Sequence, residues 1–570
     1  MNKEIISFNT GEMTPKADSL HNIDKYQAGC RHLENLLPRI YGSVERRPGT
    51  IFLEITTSLL NYLSVHNVSF YGAVGDGVTD DTVAIQSAID AANTASGGCV
   101  YFPAGLYQIT DTLTVGNSTR LCGSSQRSQI RLEAGMTGYM VENKDASGGN
   151  NYIEICDLTF QGNRANAGNP SGIIFFDNVD KFSIHDCWLI NAYNDSIYID
   201  NSFYGRIHNN YTEGAGADSY TIHNTFDLEV SDNISYSSGQ RGTGGGGIVV
   251  IDSSGRIVID GNICKNAGNA NGNGIVVQAS ANCVITNNIC SGNNVSGIET
   301  DTGDGRHNIT GNQCVGNTAR GIYILNSGNT VSNNIVTLNG SHGISVLSPA
   351  ERNILSGNTC GYNGYNGIEL TGEGSIACNN VCTSNEYHGL EIDTADKSSV
   401  TGNICRNNSQ TAGYSAIRVV DSDDCTVSGN VCFDDQDTKT QRYGVQETGS
   451  DYNIYIGNNF KDELIAPYTF SGVNNIITNN ITDETVVVAS ATTVTLPYNG
   501  EYFEISGTTN ITSITASRVG RKVVLKFAAI LTFTDGSNLK LAGNLVSAAG
   551  DTITLICDGT NWNETSRSVN

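Results

Sequence analysis

The chain has 570 residues, and its 32 Lys and Arg against 57 Asp and Glu give a formal net charge of −25 at pH 7. This excess of negative charge argues against nucleic acid or an anionic membrane surface as a partner, because both attract basic faces. No apolar run approaches the roughly 18 residues of a transmembrane helix, so we expect no membrane insertion. The first residues also lack the apolar core of a secretory signal. We therefore expect the 16 cysteines to be free thiols folded in a reducing cytoplasm.

Residues 1–55 form the first segment in chain order and carry many basic side chains with little β-type alternation. The stretches at 8–15, 24–35 and 45–50 resemble the amino-terminal signature of structural proteins from tailed-phage virions. The resemblance implies that this segment attaches the protein to other phage virion proteins. It also implies a tail appendage that is made in the host cytoplasm and acts outside the cell. An unrelated linker is the alternative.

Residues 68–105 contain the one predicted helix. Asp80 or Asp81 is a suitable N-cap, and apolar residues recur on one helical face. These residues are Ile85, Ala88, Ile89 and Ala92. With the strand and turns that follow, this segment resembles the opening of the pectate-lyase-like superfamily, in which such a helix caps the first coil of a right-handed β-helix. The resemblance leaves the chemistry open, because the superfamily contains lyases, hydrolases, epimerases and phage tailspikes.

A repeat dominates residues 66–482 and predicts their fold. Its phrase is an apolar residue, any residue, then Gly, Asn or Asp, then Asn, any residue and Cys, and its asparagines recur every 22 to 29 residues. The column comprises Asn210, Asn233, Asn262, Asn288, Asn312, Asn334, Asn358, Asn380, Asn403, Asn430, Asn458 and Asn480. One unit is too short to bury its own apolar face, so the units must stack into a parallel β-helix. We predict that each column asparagine adopts a left-handed turn conformation and hydrogen-bonds its neighbours, and that the cysteines stack as small buried residues.

Residues 483–570 lack this phrase and contain Val-rich strands separated by turns. They predict a small antiparallel β domain, similar to domains at the carboxyl ends of phage tail proteins, that supports trimerisation or carbohydrate binding. A cap over the last coil is the alternative role. The whole chain is therefore predicted to be all-β: a right-handed parallel β-helix with a short N-terminal capping helix and a small C-terminal antiparallel β domain. By analogy with tailspikes we expect a homotrimer.

A second phrase follows each asparagine by about ten residues and supplies an exposed face. Because side chains alternate along a strand, two outward columns are expected. The first runs from Ile174 through Tyr198 to Gln446, and the second runs from Phe176 through Asp200 to Thr448. Neighbours within a column are about 4.8 Å apart, and neighbours along a strand are about 6.6 Å apart.

The first candidate group in these columns is Tyr198, Asp200 and His223, which the long segments 161–171 and 237–246 are expected to wall in. A carboxylate beside an imidazole orients the ring or raises its pKa, so this group is a candidate for acid–base catalysis.

The second candidate group is Glu299 and Asp301, two residues apart on one strand, with Tyr323 on the next coil. Their spacing suits an inverting glycosidase, whose two carboxyl groups stand roughly 6.5–9.5 Å apart to admit a water molecule. Tyr323 is a candidate to stack on a sugar ring.

The third candidate group is Glu369, Glu391 and Asp393 on adjacent coils, followed by Arg418. Like charges this close raise a pKa and create an acid and a base. They also suit Ca²⁺, which prefers clustered oxygen ligands. We assign these four residues and Tyr323 to substrate binding, and we expect no required cofactor, with Ca²⁺ as the alternative. Outward acidic groups on so acidic a chain are also consistent with a simple solvated face.

Residues 157–164 are similar to a stretch of mannuronan C5-epimerase catalytic modules, which carry an Asp-Pro-His motif about one and a half coils later. The matching strand, residues 197–200, lacks that motif, and basic residues are sparse on the predicted face. The sequence therefore favours a tailspike-like depolymerase that cleaves a surface or extracellular polysaccharide by general acid–base catalysis. Glu299 with Asp301 is the first catalytic candidate, and Asp200 with His223 is the second. The alternatives are an alginate- or pectate-type lyase or uronan C5-epimerase using Tyr198, Asp200 and His223, and a glycan-binding appendage without catalysis.

Overall fold

The computed structural model describes residues 64–168, 172–242, 245–411, 413–482, 485–497 and 500–569. The predicted virion-attachment segment, residues 1–55, lies outside them. The elements that position the candidate site all belong to the compact unit Asn67–Asn570.

The predicted helix spans Thr82–Thr94. The backbone N–H of Thr82 donates to the carboxylate of Asp80 at 3.0 Å, while Asp81 accepts the N–H groups of Val74 and Gly75 at 2.6 and 3.1 Å. Asp80 therefore satisfies a free N–H at the helix start, and Asp81 fastens the preceding turn. The predicted apolar face is fully buried in the main core, which confirms the helix and its orientation.

The repeat folds as a parallel β-helix in which each coil gives one strand to each of three sheets. One coil consists of Val284–Thr286, Ile289–Ser291 and Ile298–Asp301, which lie in the first, second and third sheet. Each strand pairs in parallel with its counterpart one coil away. Inward Ile, Val, Leu and Cys side chains from all three sheets form one continuous core. The predicted stacking is therefore confirmed.

The three sheets have the following strands. The first contains Gly98–Phe102, Thr119–Gly123, Glu154–Cys156, Ser183–His185, Arg206–His208, Glu229–Ser231, Val258–Asp260, Val284–Thr286, Asn308–Thr310, Thr330–Ser332, Ile354–Ser356, Ile376–Cys378, Ser399–Thr401, Thr426–Ser428, Ile454–Ile456 and Ile476–Thr478. The second contains Asp76–Asp80, Gly105–Ile109, Ser128–Leu132, Thr159–Gln161, Trp188–Ile190, Tyr211–Glu213, Ile234–Tyr236, Ile263–Lys265, Ile289–Ser291, Gln313–Val315, Ile335–Thr337, Thr359–Gly361, Val381–Thr383, Ile404–Arg406, Val431–Phe433, Asn459–Lys461 and Ile481–Thr482. The third contains Leu113–Val115, Val141–Asn143, Ile174–Asp177, Ile197–Asp200, Tyr220–His223, Ile248–Ile251, Ile275–Gln278, Ile298–Asp301, Ile322–Ile324, Ile344–Val346, Ile368–Leu370, Leu390–Asp393, Ile417–Val420, Tyr443–Thr448 and Ala466–Thr469.

The predicted asparagine column forms a hydrogen-bonded ladder in the turn between the first two sheets. The backbone N–H and the Nδ2 of Asn262 donate to Oδ1 of Asn288 at 2.9 and 3.0 Å, and the same pattern links Asn210 to Asn480. The prediction of a left-handed conformation was wrong by one residue. The residue before each ladder asparagine bends the chain, as Gly261 does at φ 68° and Asn287 at φ 55°. The ladder asparagine then turns back inward and is buried.

A second ladder, which the sequence analysis missed, runs beside the first. The backbone N–H and the Nδ2 of Asn317 donate to Oδ1 of Asn339 at 3.1 and 2.9 Å. Its members are Asn293, Asn317, Asn339, Asn363, Asn385 and Asn408. Each stands five residues after a member of the first ladder, so the signal was present in the sequence.

The cysteine column is also confirmed as structural. Cys264, Cys290 and Cys314 pair in register on neighbouring coils. Cys360, Cys382, Cys405 and Cys432 do the same further along. All seven are fully buried, and no cysteine of the described ranges forms a disulfide. A thiol is small enough to repeat at the same inward position on successive coils without opening the stack.

The C-terminal segment has a separate core around Phe503, Phe527 and Trp562. Its six-stranded sheet has the order Val486–Ala489, Tyr502–Ser506, Lys522–Phe527, Thr552–Cys557, Trp562–Ser568 and Leu539–Lys540. The expected antiparallel pairing holds only where Thr552–Cys557 meets its two neighbours, and the other pairings are parallel. The sheet is therefore mixed, because its first three strands still stack in the manner of coils. Its role in trimerisation, carbohydrate binding or capping stays a prediction.

Candidate functional site

The outward face of the third sheet carries the two predicted columns. Tyr198 pairs with Thr221 and Asp200 pairs with His223. Glu299 in turn pairs with Tyr323. Only the first residue of each outward column, Ile174 and Phe176, was predicted wrongly. Both side chains are fully buried, and the neighbouring residues Phe175 and Asp177 continue the two columns instead. The reason is that Ile174 pairs with the inward-pointing Ile197, so alternation sends Phe175 outward.

His223 lies between two carboxylates. Its Nδ1 is 2.6 Å from Oδ1 of Asp200, and its Nε2 is 3.1 Å from Oδ2 of Asp252. Burial lowers the pKa of His223, but the hydrogen bonds and negative charges of Asp200 and Asp252 outweigh it, so the net pKa is raised. The predicted Asp200–His223 pair is therefore present in space, and its third member is an exposed turn residue that sequence alternation does not reveal.

Tyr198 belongs to an aromatic row beside this pair. Ring centroids are 5.0 Å apart for Tyr139 and Phe175, 5.5 Å for Phe175 and Tyr198, and 6.2 Å for Tyr198 and His223. Burial and then the charge of Asp200 raise the pKa of Tyr198 to about 12. Its hydroxyl therefore keeps its proton at neutral pH and suits a proton donor.

Two further carboxyl groups lie in the segments that precede these strands. The backbone N–H of Asp218 donates to Oδ1 of Asp195 at 3.0 Å. Burial and the charge of Asp218 raise the pKa of Asp195 to about 7. Arg241, from the long segment predicted as a wall, donates to Asn194 at 2.9 Å. Sequence analysis missed both carboxyl groups because they precede the strands. Outside a strand, the alternation of side chains does not predict which way a side chain points.

Glu299 and Asp301 project from one strand as predicted, roughly 6.6 Å apart along the chain. The guanidinium of Arg320 lies 4.2 Å from the ring centre of Tyr323, the residue paired with Glu299. Burial and the charge of Asp301 raise the pKa of Glu299, while Arg320 and a hydrogen bond from Asn273 oppose that shift. The pair lies four coils from Asp200, about 19 Å. The two predicted centres are therefore separate.

The third predicted group is tied into side-chain contacts. Arg418 Nη1 is 2.6 Å from Oε1 of Glu391, and Asn366 donates to Oε2 of Glu391 at 2.5 Å. Ser345 donates to Glu369 at 2.5 Å. Because Arg418 already supplies positive charge to this group, Ca²⁺ would have to compete with it. Asp393 lies on the Glu391 strand in register with Val420. Calcium binding here stays a prediction.

One further group has metal-ligating atoms close together in the described residues: Glu154, Cys156 and His185. Arg120 lies against it, with Nε and Nη2 donating to Sγ of Cys156 at 3.2 and 3.0 Å. Nε of Arg120 is also 3.4 Å from Glu154. The guanidinium supplies the positive charge that a metal ion would bring, so the arrangement fits an internal ion pair better than a metal centre.

Comparison with known proteins identifies the fold. Residues 65–314 match the family model described as rhamnogalacturonase A/epimerase, pectate lyase-like. Residues 246–405 and 302–460 match the model of the right-handed β-helix region. The chain carries a right-handed β-helix, and residues 65–314 of it are similar to pectate-lyase-like proteins. No helix in the described ranges is both long and apolar enough to cross a membrane.

Relatives of this β-helix come from two settings. Mannuronan C5-epimerase AlgE1 of Azotobacter vinelandii is 31% identical over 228 residues, which cover 32% of this chain and 16% of the epimerase. The preneck appendage protein of Bacillus phage PZA is 28% identical over 141 residues, 24% of this chain and 16% of that protein. The chain thus matches only a small part of either relative.

One solved structure has the same fold over most of the chain. The N-terminal fragment of bacteriophage Phi29 gene product 12 covers 84% of this chain and 83% of its own, with a TM-score of 0.52 and 15% identity. At this identity the likeness concerns the fold alone.

Proposed function

We propose that this protein is a phage-virion appendage that binds a neutral or weakly charged polysaccharide along the third sheet and hydrolyses it. Glu299 is the general acid and Asp301 the general base. The observation that carries the proposal is the pair of carboxyl groups projecting from one strand of a continuous outward face. Side chains two residues apart on a strand stand roughly 6.6 Å apart, which lies within the roughly 6.5–9.5 Å that an inverting mechanism uses.

The environment of Glu299 supports its role. Burial and the charge of Asp301 raise the pKa of Glu299, which favours the protonated form that a general acid needs. Asp301 then takes a proton from water as that water attacks the opposite face of the sugar. The ring of Tyr323, in register with Glu299, offers a stacking surface for the sugar.

The charge of the face favours an uncharged chain over a polyanion. Asp301, Glu369 and Asp393 add carboxyl groups to the outward face, and the whole protein carries a net charge of −25. A dense polyanion would meet repulsion along much of this surface. The virion location rests on the similarity to a phage appendage protein. Attachment through residues 1–55 and assembly as a homotrimer belong to the same proposal.

Release of reducing ends from purified polysaccharides tests this function directly. Dextran, levan, galactan and mannuronan are incubated with the full-length protein. We expect new reducing ends from at least one neutral polymer or from a neutral host-surface polysaccharide, and no ultraviolet absorbance from unsaturated sugars. Unsaturated products in place of simple reducing ends would contradict hydrolysis.

Replacement of Arg320 tests the acid–base assignment. Arg320 lowers the pKa of Glu299, so the Arg320→Gln variant should have a Glu299 with a higher pKa. The alkaline limb of the pH–rate profile should therefore move to higher pH, because the general acid keeps its proton longer. The measurement is kcat/KM against pH, with Arg306→Gln, an exposed arginine on another turn, as the control. An unmoved alkaline limb contradicts the assignment.

The group of Tyr198, Asp200 and His223 supports a second candidate, proton abstraction from a uronate polymer by lyase or epimerase chemistry. The specific observation is the 2.6 Å contact between His223 and Asp200. Asp200 and His223 thus form an Asp–His pair across two coils, although the Asp-Pro-His motif is absent from residues 197–200. In this reaction the neutral form of His223 takes the proton and Tyr198 donates one.

For this second candidate, Asp200→Asn is expected to lower kcat on mannuronan at least tenfold, because the carboxylate orients the imidazole. It should also move the rise of activity to lower pH, because one charge that raises the pKa of His223 is gone. Asp252→Asn should shift the same limb with a smaller loss of kcat, since Asp252 is exposed. Ultraviolet absorbance reports elimination and proton NMR reports epimerisation. Equal activity of both variants and the wild type excludes this centre.

A further inference from the structure

Three tyrosines occupy the same position on successive coils beside the third sheet. Tyr365, Tyr387 and Tyr414 each stand two residues before the Gly or Ala that precedes the strand. Ring centroids are 4.6 Å apart for Tyr365 and Tyr387, and 4.1 Å for Tyr387 and Tyr414 with an interplanar angle of 12°. Tyr365 is 41% exposed. The rings therefore form a half-exposed aromatic row, here called the tyrosine row.

The row borders a polar floor made by the outward column of the same coils. Ser345, Glu369, Glu391, Arg418 and Gln446 follow one another in register. Contacts between neighbouring side chains of this column and of the turns fix their orientation. Aromatic surface beside a few fixed donors and acceptors is the usual composition of a small-molecule site.

This surface continues the face that carries Glu299 and Tyr323. The strand of Glu299 lies three coils from that of Glu369, about 14 Å, and the same outward column connects them. A linear polymer bound at Glu299 and running along the β-helix axis therefore passes over the polar floor beside the tyrosine row.

We propose that the tyrosine row and the adjoining polar floor form a second saccharide subsite, which holds hydroxyl-rich pyranose units of the same polysaccharide several sugars away from the reaction centre. The apolar face of a pyranose packs against the exposed surface of the tyrosine row, and its hydroxyl groups exchange hydrogen bonds with Arg418 and Gln446, whose side chains are only half-buried. This inference rests on the proposed polysaccharide-binding function, and it concerns affinity for long chains rather than the chemical step.

The test is affinity electrophoresis of the full-length protein in native gels that contain dextran, levan, galactan or mannuronan. The variants are Tyr365→Ala and Tyr387→Ala, with Tyr452→Ala as the matched control, because Tyr452 is exposed on the opposite turn and outside the row. Retardation of the wild type in a neutral gel is expected. Each row variant should weaken it about three- to tenfold in Kd, in line with the roughly 0.5–1.5 kcal/mol of an aromatic contact. Tyr452→Ala should leave it unchanged.

Two further comparisons distinguish a variant that has lost its fold from a subsite that does not exist. Tyr387→Phe keeps the stacking ring, so it should retain most of the binding even if Tyr387→Ala loses thermal stability. Row variants that bind as tightly as the wild type overturn the subsite and leave the hydrolase proposal standing. Binding that depends on the row without any release of reducing ends supports the subsite and overturns the hydrolase. Absence of retardation in every gel overturns the subsite.

Discussion

Glu299→Gln should lower kcat by about 10²–10⁴-fold, the range that a positioned general acid contributes. The amide has nearly the shape of the carboxyl group but carries no proton that it can release to the leaving oxygen. KM should change little, because the stacking surface of Tyr323 remains. The measurement is steady-state release of reducing ends across a pH range. The alkaline limb of the profile should also disappear, since the group whose ionisation causes it is absent.

The control for this substitution is Glu229→Gln, which neutralises an outward glutamate of the first sheet that pairs with Arg206 at 2.9 Å. Its activity should equal that of the wild type, because exposed ion pairs contribute little. Asp301→Asn should be as damaging as Glu299→Gln, since it removes the base. Full activity of both Glu299→Gln and Asp301→Asn, with loss in Asp200→Asn, would place the reaction at Asp200 and His223.

Asn358→Ala should destabilise the β-helix by about 4 kcal/mol, because buried polar groups left unpaired each cost about 1–3 kcal/mol. Oδ1 of Asn358 accepts the backbone N–H and Nδ2 of Asn334 at 3.0 and 2.9 Å, and its Nδ2 donates to the carbonyl of Val331 at 2.9 Å. Alanine removes all three bonds in a fully buried turn, and Nδ2 of Asn334 keeps only its bond to the carbonyl of Ile309. Urea unfolding followed by circular dichroism measures the loss.

The matched control is Asn308→Ala, an exposed asparagine on the outward face of the first sheet. It should change stability by less than about 0.5 kcal/mol, as is usual for surface substitutions. Hydrogen exchange should localise the effect of Asn358→Ala to its own and neighbouring coils, because each coil contacts only the next. A loss no larger than that of the control would contradict a stabilising role for the ladder.

Sequence periodicity was sufficient for most of the scaffold. The asparagine column, the cysteine column and the buried helix face at Ile85 and Ile89 were all predicted from spacing alone. The second ladder repeats the same spacing five residues further on, so its signal was equally present in the sequence. The first members of the outward columns were misplaced by one residue, because alternation was counted from Ile174 as if it pointed outward.

The sequence by itself determined the coil stack and the side of the sheet on which Tyr198, Asp200, Glu299 and Asp301 lie, because one coil per repeat and alternation along a strand fix both. The tertiary structure decided what those groups contact. Asp252, Asp195 and Arg320 come from turns of varying length, where neither periodicity nor alternation sets the direction of a side chain. The charge on His223 and the pKa of Glu299 depend on such turn residues. The chemistry of the face is therefore a property of the folded coils.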